Sequence, residues 1–214
     1  MLLNELLEEA KKNFEAKAPE DVQTEIYRLM REQEQSETAY GLQPGERAED
    51  FTLNNANGVA VNLRERLAAG PVVLVFYRGG WCPFCNIQLR AYRSALPEIE
   101  ALGAQLVAVS PQSPDNALSQ QQKEDLRFQV LSDTNGMAAA LYKVLFEVPP
   151  RLRELMAGKL RVNLAEYNAA DRWILPIPST FIIDASGIVR SAYVNPDFMK
   201  RMEPQDILDR LKSL

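Results

Sequence analysis

Both cysteines of the chain fall in one short stretch, GGWCPFCN, as Cys82 and Cys85. Two thiols at this spacing suit a dithiol/disulfide cycle, in which one thiolate attacks a peroxide or a disulfide and the other closes a bond to it. Histidine is absent from all 214 residues, so acid–base work falls to thiols, carboxylates, tyrosines, lysines or water. A structural disulfide over so short a loop removes little chain entropy from the unfolded state. A zinc site needs four ligands, and two cysteines without histidine reach that number only by pooling across a dimer. The spacing therefore points to redox chemistry, against which stand a dimeric zinc module and two unrelated core cysteines.

The elements around the pair give the thiols different surroundings. Val72 to Tyr77, VVLVFY, is apolar on both alternating faces, as in an interior parallel strand. A helix is predicted from Pro83 to Leu102, with Pro83 in the first-turn position that proline tolerates and Pro97 as a possible kink. On it Cys85, Leu89, Tyr92, Leu96 and Ile99 form one stripe, which buries Cys85. Cys82 lies one turn earlier, at the helix start, and is expected to be the more exposed. Free backbone N–H groups there favour thiolate, and Arg78, Arg90 and Arg93 are candidates to add field, although Arg90 and Arg93 also fit a solvated helix face. A thiol of pKa ~8.5 is only about 3% ionised at neutral pH, whereas one lowered to ~6.5 is roughly three-quarters ionised. Cys82 is thus the expected nucleophile and Cys85 the resolving thiol. Trp81 and Phe84 are expected to shape the apolar rim, and Tyr77 and Tyr142 to pack.

Further along, strands are predicted at Gln105 to Val109 and Phe128 to Leu131, and helices at Asp115 to Lys123 and Gly136 to Tyr142. PSTFIIDASGIVRSAYV reads as two strands joined at Ser186-Gly187, and DFTLNNANGVAVNL as two strands about Asn57-Gly58. Alternation of this kind builds an α/β domain, a sheet covered by helices. Residues 149 to 173 read as an insertion, and a last amphipathic helix starts at Pro204. Before the domain, residues 2 to 17 and 20 to 36 read as two amphipathic helices split by Pro19, and 41 to 49 as a linker. This divides the chain into a helical arm, 1 to 45, and a main domain, 46 to 214. The arm is expected to pack on the domain, with a homodimer contact as the alternative.

Hydrophobic residues make up 46% and charged residues 25%, an ordinary globular balance, and the net charge is −5. The first 50 residues hold 13 acidic and 6 basic side chains, leaving 16 and 18 for the rest, so no basic footprint suggests nucleic acid. No apolar run approaches a membrane span and the N-terminus lacks a secretory pattern, so a cytoplasmic location is the expectation.

From about Arg47 onward the chain resembles the peroxiredoxin-like branch of the alkyl hydroperoxide reductase and thiol-specific antioxidant family. The resemblance is carried by AEDFTLNNANG, VVLVFYRGGWCPFC, VLSDTNG and STFIIDASGIVR, in the family's order. It implies a thioredoxin-like fold with a mixed central sheet, and thiol-dependent reduction of hydroperoxides or disulfides with an external thiol donor of thioredoxin or glutathione type. No metal, flavin or haem is implied.

The family's Pro-x-x-x-Thr-x-x-Cys pattern, laid on FYRGGWCPFC, puts Arg78 at the Pro, Cys82 at the Thr and Cys85 at the peroxide-attacking Cys. The activating Thr is missing, and Pro178 stands where the family has an Arg that helps hold the peroxide; Arg78, Arg151 or Arg172 could replace it. Both departures lean toward thioredoxins, whose pattern Trp-Cys-x-x-Cys is present, and Ile177-Pro178 resembles their cis-proline dipeptide beside the disulfide. The resemblance thus nominates Cys85, while helix position and the missing Thr and Arg favour Cys82. Two other functions stay open: a disulfide reductase without peroxidase activity, and a non-enzymatic redox sensor whose arm or insertion contacts a partner.

Overall fold

The computed structural model describes residues 2–36 and 41–214; residues 37–40 of the predicted arm lie outside the described part. Two helices, α1 (Leu3–Lys17) and α2 (Glu20–Gln35), precede a hairpin of β1 (Thr52–Asn55) and β2 (Ala60–Asn62). Then come α3 (Leu63–Ala69), β3 (Val72–Phe76), α4 (Pro83–Ala101), β4 (Gln105–Ser110), α5 (Pro114–Lys123), β5 (Gln129–Ser132) and α6 (Met137–Leu141). The chain continues through β6 (Leu145–Glu147), α7 (Pro150–Gly158), α8 (Leu164–Asn168), β7 (Ile174–Pro176), β8 (Ser179–Ile183), β9 (Val189–Val194) and α9 (Pro204–Lys212).

Seven strands form one sheet in the order β2-β1-β5-β4-β3-β8-β9. β3 runs parallel to β4, and β4 to β5, while the outer pairings are antiparallel. The sheet is therefore mixed, with helices on both faces. The unbroken apolar run of β3 follows from its central place. Val73, Val75 and Tyr77 join the core with α4 and α9, and Val72, Leu74 and Phe76 join the opposite core with Leu63, Leu67 and Ala138. The hairpin β8–β9 closes one edge.

The arm shares the α4-side core. Leu3, Leu7, Val22, Ile26 and Met30 are buried in the same cluster as Cys85, Leu89 and Tyr92. The segment read as an insertion forms α7 and α8, bracketed by β6 and β7, which pair in a separate two-stranded sheet. Helix α7 packs on α2, so arm and insertion meet.

Candidate active site

The site lies where β3 ends and α4 begins, at Arg78 to Cys85. Cys82 is the N-cap of α4 and Pro83 its first residue, and the Asn86 N–H donates to the Cys82 carbonyl at 3.1 Å. Gly79 has φ +145°, and a Cβ there would lie 2.5 Å from Trp81 Nε1, so the turn needs glycine. A closed ring of amides, with Gln112 and Gln120 buried and Gly80 and Asn86 half-buried, fixes this loop. Gly80 N–H donates to Gln112 Oε1 (2.8 Å), and Gln112 Nε2 donates to Gln120 Oε1 (2.7 Å). Gln120 Nε2 donates to Asn86 Oδ1 (2.7 Å), whose Nδ2 returns to the Gly80 carbonyl (2.8 Å). Tyr77, expected only to pack, donates its hydroxyl to Gln120 Oε1 at 3.0 Å. A Cβ on Gly80 would meet Gln120 Cδ at 2.9 Å. Gly80→Ala is therefore expected to push Gln120 out of the ring and destabilise the fold by about 1–3 kcal/mol, read as a lower denaturant midpoint at unchanged slope.

The stripe on α4 buries Cys85 completely, as its spacing predicts. Cys82, expected to be the more exposed thiol, is also buried, with 2% of its surface accessible. The reason is non-local. The arm and the insertion wall a cleft of about 700 Å³ above the helix start, and Cys82 lies at its floor with Arg78, Trp81 and Phe84, facing Phe14 and Leu160. Trp81 and Phe84 thus line the cleft beside Cys82, and Phe84 packs edge-on against Phe198 at 5.5 Å between centroids.

The electrostatics favour ionisation of Cys85 over Cys82, the opposite order to that expected from helix position. Burial raises the Cys82 thiol well above its ordinary value, as do its hydrogen bond to Cys85 and the charge there. Burial also opposes ionisation of Cys85, but the hydrogen bond from Cys82, the Arg201 and Arg78 charges and the Arg78 backbone N–H outweigh it, lowering Cys85 to about 5. An N-cap position lowers a thiol only where burial does not outweigh it; at Cys82 burial outweighs the Arg78 and Arg201 charges, whereas Cys85 has Arg201 Nη2 at 3.7 Å.

Arg201 comes from the loop between β9 and α9 and was not foreseen. It is 2% exposed. Its Nε donates to Gln88 Oε1 at 2.7 Å, Nη1 to the carbonyls of Phe198 and Lys200, and Nη2 approaches Cys85 Sγ at 3.7 Å. Arg78 is 9% exposed and lies between aromatic faces, its guanidinium carbon 3.8 Å from the Phe198 centroid and 4.8 Å from that of Trp81. Its Nε and Nη1 have no acceptor, and among the described residues no carboxylate pairs with either arginine.

The other candidates lie elsewhere. Arg151 pairs with Glu154, and Arg172 reaches Glu147 and the Asn135 carbonyl, so neither replaces the family's Arg. Arg90 and Arg93 bind the Glu124 side chain and carbonyl, tying α4 to the end of α5. Ile177-Pro178 is trans, since no cis peptide bond occurs among the described residues. Extended backbone suits the join between strands here: Ile177 N–H donates to the Val144 carbonyl at 2.7 Å, and β8 starts at the next residue after Pro178. Ile177 and Pro178 line a smaller apolar pocket that adjoins the cleft through Arg78 and Phe198.

Residues 44–192 match the profile of the AhpC/TSA family. A Helicobacter pylori protein named for the peroxiredoxin bcp is 30% identical over 157 residues, which span 72% of this chain and 89% of that one. Chloroplastic peroxiredoxin Q of Sedum lineare is 26% identical over 77% of this chain and 75% of its own length. The crystal structure of peroxidoxin BcpB from Mycobacterium tuberculosis superposes with a TM-score of 0.64 at 21% identity, covering 81% of this chain and 98% of that one. Sheet order, the thiols at the start of α4 and the matched segment agree: this chain belongs to the AhpC/TSA family.

Proposed function

We propose that the chain is a thiol-dependent peroxidase in which Cys85 attacks the hydroperoxide and Cys82 resolves the product. The observation that carries this reading is a pair of buried guanidiniums, Arg78 and Arg201, with no carboxylate partner among the described residues and the Cys85 sulfur 3.7 Å from Arg201 Nη2. Buried charge is costly unless it is countered, and a Cys85 thiolate is the available counterion.

The thiolate attacks the outer oxygen of ROOH. An S–O bond forms, the O–O bond breaks, and the departing alkoxide takes a proton to leave as ROH. Sulfur gives up two electrons and Cys85 becomes a sulfenic acid. The Arg78 Nε–H and Nη1–H, free of other acceptors, are donors suited to the departing oxygen. Cys82 then attacks the Cys85 sulfur: an S–S bond forms, the S–O bond breaks, and the hydroxide leaves as water with the proton of the Cys82 thiol. Two equivalents of an external thiol, of thioredoxin or glutathione type, open this disulfide by exchange and become a disulfide themselves.

A disulfide reductase is the second reading, favoured by the Cys82 sulfur at the floor of an apolar cleft. Stopped-flow mixing of the reduced protein with hydrogen peroxide, beside an insulin reduction assay, separates the two. Peroxide consumption far faster than that of free cysteine is expected; a rate no faster than free cysteine rejects the peroxidase reading.

A further inference from the structure

We infer that the N-terminal arm is part of the machinery that ionises Cys85, with Asn4 and Glu203 as positioning residues that fix the backbone of Arg201. This rests on the reading that the Cys85 thiolate is the attacking species.

Arg201 lies in an irregular segment between β9 and α9, where no ladder hydrogen bonds hold the main chain. One side chain takes over that task. Asn4 Nδ2 donates to the Arg201 carbonyl at 2.8 Å, and the Arg201 N–H donates to Asn4 Oδ1 at 3.1 Å. The Asn4 amide is itself held, since Glu203 Oε1 accepts from Asn4 Nδ2 at 2.8 Å. The same carboxylate accepts from the free N–H groups of Leu3 (2.9 Å) and Asn4 (2.7 Å) at the start of α1, where the helix dipole favours negative charge. Leu3 and Leu7 anchor that helix in the α4-side core. An unbroken chain of contacts thus runs from α1 through Asn4 to the Arg201 backbone, and from its guanidinium to Gln88 and Cys85.

Asn4, Arg201 and Glu203 all fall outside residues 44–192, the segment that matches the family. They stand in a chain that has Cys82 in place of the family's activating Thr and Pro178 in place of its Arg. Arg201 Nη2 and Cys85 Sγ are within hydrogen-bond reach for sulfur at 3.7 Å, and because the field of a charge falls with distance, drift of the Arg201 backbone weakens it at Cys85.

The test uses the full chain in a Cys82→Ser background, which leaves Cys85 as the sole thiol and keeps a hydroxyl at position 82. Thiolate absorbance is followed against pH, with circular dichroism and thermal unfolding as checks of the fold. Asn4→Ala is expected to raise the Cys85 midpoint by about one pH unit, and so to lower the peroxide rate several-fold at acidic pH while leaving it unchanged at alkaline pH. Glu203→Gln, which keeps an acceptor for the α1 N–H groups, is expected to stay close to the parent, and Glu203→Ala to follow Asn4→Ala. Gln23→Ala loosens the α1–α2 turn, where Gln23 Nε2 bonds the Glu15 and Ala18 carbonyls, without touching Arg201; it is expected to leave the midpoint in place. In an Arg201→Leu background Asn4→Ala is expected to add no further shift, because its effect passes through that side chain.

If Asn4→Ala and Glu203→Ala leave the midpoint unmoved while Arg201→Leu raises it, the arm has no such role and the thiolate reading stands. An equal shift from Gln23→Ala, or a full additional shift from Asn4→Ala without Arg201, also overturns the inference. If Arg201→Leu itself moves nothing, the reading beneath it fails.

Discussion

Cys85→Ser is expected to abolish peroxide consumption, with a rate loss on the order of a thousand-fold or more, equivalent to about 4 kcal/mol of barrier, because a serine hydroxyl beside two arginines is not ionised. Cys82→Ser is expected to behave differently. Its first oxidation stays within a few-fold of wild type, since the attacking sulfur and its cations are intact, but no intramolecular disulfide forms and Cys85 is left as a sulfenic acid open to further oxidation. Rapid mixing with one equivalent of peroxide, followed by mass analysis of each variant, reads both outcomes. The asymmetry matters because helix position alone assigns the thiols the other way round.

The second large effect concerns Arg201. Arg201→Leu removes a buried charge from beside Cys85 and leaves Gln88 Oε1 without its donor. The Cys85 pKa in the folded protein is lowered, to about 5, so the thiolate is present above that pH and is lost as pH falls through it. Losing one of the two cations is expected to raise this midpoint by about one to two pH units. The peroxide rate then falls roughly ten-fold near pH 5 and recovers in alkaline solution, where Cys85 ionises without help. A flat rate loss across pH would mean that Arg201 acts on something other than the thiolate. Arg201→Lys, which keeps a charge but not the fork that reaches Gln88 and Cys85 together, is expected to fall between the two.

The fold was legible where local pattern carries the information. The apolar run of β3 announced a strand covered on both faces, and alternate residues do enter opposite cores. The stripe from Cys85 to Ile99 fixed the buried face of α4, and Pro83 marked its start within a residue. Both arm helices and the β8–β9 edge hairpin were equally plain, because each has its own periodicity and turn.

What escaped was set by distant parts of the chain. Nothing near GGWCPFCN says that Phe14 and Leu160 will wall the cleft above Cys82, so its burial could not be read from its position at a helix start. Arg201 is 116 residues from Cys85 and sits in a loop without periodicity, where an arginine ordinarily reads as solvated. One clue was present. Gln88, three residues after Cys85 on the same stripe, is a polar side chain on a face that buries everything else, and such a residue needs a buried partner. That partner is Arg201. Gln112 and Gln120, from the loop after β4 and from α5, gave no signal of their own, since only the fold brings them to the active-site loop.

The most direct measurement is the thiolate titration of the two single-cysteine proteins, Cys82→Ser and Cys85→Ser, followed by ultraviolet absorbance. Cys85 is expected to ionise in mildly acidic solution and Cys82 only well into the alkaline range, since burial dominates at Cys82 while hydrogen bonding and the Arg201 and Arg78 charges outweigh it at Cys85. A Cys82 that ionises at the lower pH of the two would contradict the account and return the attacking role to the helix start.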